Sequence, residues 1–354
     1  MSHLAGPRLF LRYRNQWRTF CALLTFALLL AACGGSGDDN SASGSGASTG
    51  PKKITFMAGF KPQANLPFVG AYVAQEKGFF EELNLDVDIR HAQSSEHLQL
   101  LLAGEVQVAT ANAAQVVERA ADGLPVVSIA LIGQKSEQGF AVGAASGIDN
   151  VRDWAGHKFG YKGTVPVEFL AIARANGLNP NDVEQVKVSF DPRVLSEGQV
   201  DILAVFVSNE PGQLERIGYK VKVFDPSDYN IPVLGLTYIA SQEGIAKDPE
   251  AMERFLRGAL RGIEYASQNV EEAVDIVMKY APQENRDQQR FMLTTELARA
   301  KTPLTNNYGY GWQTREQWSA LTDALRDFQV VTEDVDINKM FTSQFLERIH
   351  ARKN

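Results

Sequence analysis

A chain of 354 residues, 44% hydrophobic and with a net charge of −7, is long enough to bury one large core or two lobes. The acidic balance and the lack of any clustered Lys/Arg tract exclude a phosphate-gripping nucleic-acid surface. Its two cysteines, Cys21 and Cys33, both precede residue 34, so the rest of the chain has no disulfide or thiol chemistry.

The first segment is basic, with Arg8, Arg12, Arg14 and Arg18, and an apolar run of 13 residues follows from Phe20 to Ala32. That run is short for a membrane span and suits the h-region of a signal peptide. It ends in Leu30-Ala31-Ala32-Cys33-Gly34, small residues before a cysteine, which is a lipobox. Residues 1–32 are thus expected to be removed and Cys33 to carry lipid, anchoring the chain on the extracytoplasmic face of the cell membrane. Residues 34–50 hold only Gly, Ser, Ala, Asp, Asn and Thr. Such a stretch cannot bury enough apolar surface to fold, and 33–50 reads as a flexible tether before a folded domain at 51–354.

Within the domain, strands and helices alternate. Ile54 to Met57 reads as a strand and Phe68 to Leu83 as a helix. Leu85 to Ile89 has period two; Ser94-Ser95-Glu96 caps a helix that Gly104 stops. Val106 to Thr110 is a strand, Ala113 to Ala121 a helix, and Val126 to Leu131 an apolar strand. The pattern restarts after residue 150. Strands are predicted at Lys158 to Tyr161, Val186 to Phe190, Ile202 to Val207 and Tyr219 to Phe224, with a helix from Val167 to Asn176. A strand from Val233 to Ala240 returns to the first lobe, and long helices follow at Pro249 to Asn269 and Glu271 to Tyr280. Repeated β-α-β units imply right-handed crossovers and mostly parallel sheets. The expected architecture is α/β with two lobes: lobe one at about 51–145 and 235–354, lobe two at about 146–234, and a hinge with a ligand cleft between them.

Three segments resemble a known family. Gly70-Ala71-Tyr72-Val73-Ala74-Gln75-Glu76-Lys77-Gly78-Phe79-Phe80 followed by Leu85-Asp86-Val87 is similar to the YVAxEKGYFxxxGLxV segment of NMT1/THI5-like binding proteins. Leu102 to Ala109 and Ile148 to Gly160 resemble two later segments of the same family, in the same order. The resemblance implies a type 2 periplasmic-binding-protein fold and a solute-binding lipoprotein that works with the permease and ATPase of an ABC importer. Family ligands include the thiamine pyrimidine precursor, riboflavin, nitrate and sulfonates. Relatives that bind the pyrimidine carry Trp and then Asn-x-Asn-His in the first strand-helix loop. Here that loop runs Gly59 to Phe68 with neither Trp nor His. Phe68, standing about where the histidine is placed, favours a larger, flatter ring and hence riboflavin. The pyrimidine precursor, as hydroxymethylpyrimidine or formylaminopyrimidine, is the alternative, and a sulfonate- or nitrate-type anion a further one. Pyrimidine-synthesising enzymes of the THI5 type use a Cys-rich segment this domain lacks. An adhesin or a sensor input is a third class.

The site is expected on loops at strand ends. Phe60 and Phe68 are stacking candidates, with core packing as the other reading of each. Asn65 offers donor and acceptor, or caps a turn. Ser94 presents backbone N–H groups, or only caps its helix. Asn112 and Gln138 lie at strand ends. In lobe two the candidates are Thr164 and Glu168, after Lys158–Tyr161, and Asn209 and Glu210, after the Ile202 strand. Catalytic motifs, a cofactor site and a metal site are not expected. His91 and His97 flank Ala92 to Glu96 at a spacing unlike a ligand set. The aromatic run Asn307 to Trp312 is expected to pack against lobe one.

Overall fold

The computed structural model describes residues 50–351. The signal peptide, Cys33 and nearly all of the tether lie outside the described residues. Among the described residues ten strands form two five-stranded sheets. The first contains β1 (Lys52–Ala58), β2 (Leu85–His91), β3 (Val108–Asn112), β4 (Val126–Leu131) and β10 (Leu236–Ser241), in the order β2-β1-β3-β10-β4. The second contains β5 (Gln138–Gly143), β6 (Lys158–Tyr161), β7 (Glu184–Lys187), β8 (Ile202–Phe206) and β9 (Val221–Phe224), in the order β7-β6-β8-β5-β9.

The two sheets have one topology. In each, one strand (β1 or β6) pairs in parallel with the next two in the chain, and the fourth place is taken by the antiparallel strand that follows a crossing between lobes, β10 or β5. The chain therefore crosses between lobes twice, after β4 and before β10. The first crossing falls at residues 132–137, ahead of the expected boundary near 145, because Gln138–Gly143 is a strand that sequence reading left unassigned. Its burial is continuous apart from Gln138, so it has no period-two signal. Gly139 and Gly143 keep it thin: a Cβ on Gly139 would lie 2.5 Å from Val207 Cγ1, and one on Gly143 2.4 Å from the Tyr219 hydroxyl.

The crossings touch. Gly235 N–H donates to Gly133 O at 2.8 Å, and Gly133 N–H to Leu236 O at 2.8 Å. A Cβ on Gly133 would sit 2.6 Å from Leu236 N, so glycine is what allows the two chains to lie side by side there.

Lobe one packs helices on both sheet faces. Leu66–Glu76 and Pro249–Gln268 cross closely, since a Cβ on Gly262 would meet Gly70 O at 2.1 Å. The motif residues Tyr72, Val73 and Ala74 are fully buried on the first of these helices. Gly78 adopts φ +72° and ends the expected single helix in two pieces, Leu66–Glu76 and Phe79–Glu82. In lobe two, Phe140, Trp154, Phe159, Phe169 and Phe224 form one aromatic core, with Phe159 and Phe169 stacked at 4.2 Å. Among the described residues no helix is long and apolar enough to cross a membrane.

Candidate functional site

The carboxyl ends of β1, β6 and β8 open toward the crossings, and one helix, Arg286–Ala300, reaches both lobes there. On the lobe-one side its Gln289 Oε1 accepts from Ala64 N–H at 2.7 Å, and its Glu296 accepts from Asn65 Nδ2 at 2.6 Å and from Leu66 N–H. On the lobe-two side Gln288 Nε2 donates to Asn209 O at 2.9 Å, and Arg299 pairs with Asp225 and donates to Ser136 O. The ring of Phe291 covers Gly212, where any Cβ would clash at 2.5 Å.

These groups frame a cavity of about 10 Å³ lined by Leu66, Pro67, Gly133, Glu137, Glu296 and Arg299, among others. That is room for about one water, whereas ligand pockets run to some hundreds of Å³, so admitting a vitamin-sized molecule requires the lobes to separate. A concavity of about 540 Å³ lies elsewhere, on lobe one, beside Tyr308, Tyr310 and Trp312. Tyr310 and Trp312 pack on the lobe-one core, while Tyr308 is half exposed and stacked on Trp312 at 4.8 Å. That concavity takes no residue from lobe two, so the cleft, where both lobes converge, is the stronger candidate.

The cleft floor is acidic. Ser208 Oγ lies 3.0 Å from Glu137 Oε2 and 3.4 Å from Glu296 Oε1. Burial drives the Glu296 carboxyl well above the ordinary range, and the charge of Glu137 adds to the effect. Burial also raises Glu137, against the pull of the Arg299 guanidinium. Glu168, to which Ser136 Oγ donates at 3.0 Å, is raised by burial as well. For Asp225 burial acts upward but is outweighed by the hydrogen bond and charge of Arg299, and its carboxyl stays below the ordinary range. In lobe two, Lys162 and Glu210 form an ion pair with side chains 9% and 4% exposed, and Glu210 Oε2 accepts from Phe206 N–H at 2.7 Å.

Aromatic rings stand exposed at or just past three strand ends. Phe60 follows β1 and is 55% exposed; Phe206 ends β8 and is 47% exposed; Phe190, beyond β7, is 78% exposed and lies 6.0 Å from the Lys162 ammonium. Phe60 is held from behind. His91 Nδ1–H donates to Phe60 O and its Nε2 accepts from the Tyr72 hydroxyl, both at 2.8 Å, a tautomer assigned from the two partners.

The sequence candidates distribute unevenly. Asn65 is on the floor, bound to Glu296, and Phe60 is on the rim. Glu168 is at the lobe-two wall and Glu210 in its ion pair. Asn209 is held by Gln213 and Gln288. Thr164 is exposed on its loop. Phe68 does not offer a stacking face: it is 2% exposed and packs in the lobe-one core, edge-on to His91. Asn112 caps the Ala113–Ala121 helix, accepting from Gln115 N–H. Gln138 Nε2 is used on Gly139 O and Val205 O. Ser94 donates to Glu96, whose carboxylate, rather than a serine hydroxyl, caps that turn. Among the described residues no group of acidic, His or Cys side chains could hold a metal ion. His91 is used by Tyr72 and Phe60, and His97 is buried. Glu296, Arg299, Asp225 and Lys162 were not among the sequence candidates; Ser136 and Glu137 lie in the 134–138 loop and Phe206 and Ser208 in the 206–210 segment, both expected at the site, but were not singled out there. The signal for Glu296 was present: it stands on the apolar stripe Met292, Leu293, Leu297, Ala300 of its helix.

The NMT1/THI5-like family profile matches residues 65–273, more than half of the chain. The chain belongs to the NMT1/THI5-like family. It is 26% identical over 336 residues to the riboflavin-binding protein RibY of Chloroflexus aurantiacus, covering 90% of this chain and 95% of that one. It is also 26% identical over 335 residues to the formylaminopyrimidine-binding protein of Halalkalibacterium halodurans, covering 91% and 97%. The periplasmic aliphatic sulphonate binding protein SsuA of Escherichia coli superposes with a TM-score of 0.65 at 15% identity, covering 84% of this chain and 99% of that one, which shows the periplasmic-binding-protein fold.

Proposed function

We propose that this NMT1/THI5-like protein is the extracytoplasmic solute-binding component of an ABC importer, anchored through lipid on Cys33, and that it captures a flat heteroaromatic vitamin, riboflavin first. One observation carries the reading. Phe60 in lobe one and Phe190 and Phe206 in lobe two expose their rings at or just past the carboxyl ends of β1, β7 and β8, and from two of those ends, β1 and β8, Asn65 and Ser208 reach the polar floor. Closing the lobes on a ring would stack its faces on aromatics while the floor groups fix its edge. The relatives' names point to the same class of ligand. The carboxylates of the floor favour the thiamine pyrimidine precursor as the second reading, since an aminopyrimidine brings N–H donors to them. They disfavour a sulfonate or nitrate, which brings only acceptors and no N–H for these carboxyl groups to accept.

The test is a fluorescence titration. Riboflavin stacked on phenylalanine and buried from water should lose or shift its emission as protein is added, and the complex should have a smaller radius of gyration than the free protein. Unchanged emission at high protein concentration, with heat released on adding the aminopyrimidine, would reverse the two ligands. Release of a modified product from either compound over time would remove the binding-protein reading.

A further inference from the structure

The floor of the cleft is unevenly satisfied, and the pattern names the edge of the ligand it takes. Glu296 is provided for: Asn65 Nδ2 and Leu66 N–H serve one carboxylate oxygen each. Glu137 is not. Among the described residues it accepts one hydrogen bond, from Ser208 Oγ at 3.0 Å. A carboxylate has about four acceptor sites, and a hydroxyl has one proton to give, so Glu137 keeps acceptor capacity directed at the cavity it lines. Arg299 lines the same cavity. Its two terminal nitrogens are used on Asp225 and Ser136 O, and its buried Nε–H has no partner. Residues carrying a spare acceptor and an unpaired donor thus line one small space, closed by Leu66, Pro67 and Ile132. Buried polar groups left unpaired cost on the order of 1–3 kcal/mol each, so this pair is poised for a complementary partner.

We propose that Glu137 and Arg299 read the polar edge of the ring: Glu137 accepts a ring or exocyclic N–H, and Arg299 Nε–H donates to the carbonyl or imine nitrogen beside it. The ligand class is therefore a heterocycle with a cyclic imide or an aminopyrimidine edge. Purely aromatic or anionic compounds of similar size lack the N–H that Glu137 needs. The inference rests on the cleft being the ligand site, and it adds which atoms decide specificity within it.

The test is a cycle between ligand and protein. Riboflavin and N3-methylriboflavin differ only at the imide N–H. Wild-type protein should bind the methylated compound about 10- to 100-fold more weakly, the range for losing a hydrogen bond to a charged group. In Glu137→Ala that difference should vanish, both compounds binding with equal, reduced affinity. Glu137→Gln, which keeps the volume and an acceptor oxygen, should fall between, and circular dichroism checks that each variant is folded. Equal binding of the two flavins to wild-type protein overturns the proposal. So does a methylation penalty that persists undiminished in Glu137→Ala. If no flavin binds, the riboflavin reading fails on its own, and the aminopyrimidine and its N,N-dimethyl derivative replace the flavins in the same cycle, with calorimetry as readout. Failure of those as well removes both readings.

Discussion

The two lobes share a strand order and differ in what they place at its carboxyl edge. Lobe one is the larger, backed by the helices Leu66–Glu76, Pro249–Gln268 and Val270–Tyr280. Its edge is fixed from behind: Asn65 by Glu296, Phe60 by His91, and His91 by Tyr72, which stacks on Tyr280 at 4.0 Å. Lobe two is thinner, and its edge carries the exposed rings Phe190 and Phe206 around the Lys162–Glu210 pair. One topology thus yields a hydrogen-bonded wall on one side and exposed rings around a buried ion pair on the other. The lesson is that the sheet sets where the edge lies, while the loops and the borrowed helix Arg286–Ala300 set its chemistry.

The largest expected effect separates core rings from rim rings. Phe68→Ala should cost about 3–5 kcal/mol of stability, as for a buried phenylalanine truncated in a packed core, measured by urea unfolding. Phe60→Ala and Phe206→Ala should leave stability within about 0.5 kcal/mol and weaken ligand binding by about 1 kcal/mol each. If Phe68→Ala leaves stability unchanged, the division between core rings and rim rings is wrong.

The next effect sharpens which lobe holds the bridging helix. Arg299 and Asp225, with side chains 12% and 16% exposed, join the helix to lobe two. Arg299→Met leaves Asp225 without its cation and should destabilise the protein by about 3 kcal/mol. Adding Asp225→Asn should recover part of that loss. The single variant should also have a larger radius of gyration by small-angle scattering, because one of the bonds holding the helix to lobe two is gone. An unchanged radius together with full stability would mean that the ion pair does not hold the lobes together.

Much of this organisation was legible in the sequence. The alternation Leu85, Val87, Ile89 against Asp86 and Asp88 matches a strand whose buried residues fall on one face. The motif Tyr72-Val73-Ala74 marked a buried helix face, and Gly78 a turn with positive φ. Two things were harder to see. β5 is nearly continuously buried and contains Gly139 and Gly143, so neither periodicity nor composition separates it from a loop. The floor of the site is tertiary: Glu137, Ser208 and Glu296 are separated by 71 and 88 residues and meet only when the helix Arg286–Ala300 lies across the crossings. A polar residue on an apolar stripe, like Glu296, signals a buried partner, but the partner's identity is set by the packing. Phe68 shows the converse. Position in a loop suggested a ligand contact, yet the helix starts at Leu66, and Phe68 lies in its first turn, facing the core.

The smallest effect tests whether the wall of lobe one is held by a neutral imidazole. Burial lowers the His91 pKa, against the hydrogen bond to Phe60 O, which favours the charged form. The folded protein therefore binds fewer protons at His91 than the unfolded chain does. His91's contribution to stability is full above the unfolded value near 6.5 and is lost as pH falls below it toward the lower folded value. Protonation would place a partly buried charge beside the Tyr72 phenol, whose hydroxyl would have to turn from donor to acceptor. Buried His97, whose pKa burial also lowers, contributes with the same sign. Glu137 and Glu296 contribute with the opposite sign, because their raised pKa values make the folded state bind protons more readily. The net slope therefore mixes both, and the informative quantity is a difference. Between pH 7.5 and 5.5, His91→Gln should lose less stability than the wild type, as measured by urea unfolding at the two pH values. At pH 7.5 the same variant should weaken ligand binding slightly, because Phe60 loses the bond that fixes its carbonyl. Parallel pH curves for variant and wild type would mean that His91 titrates alike in the folded and unfolded chains, and that Phe60 is positioned by something other than a neutral histidine.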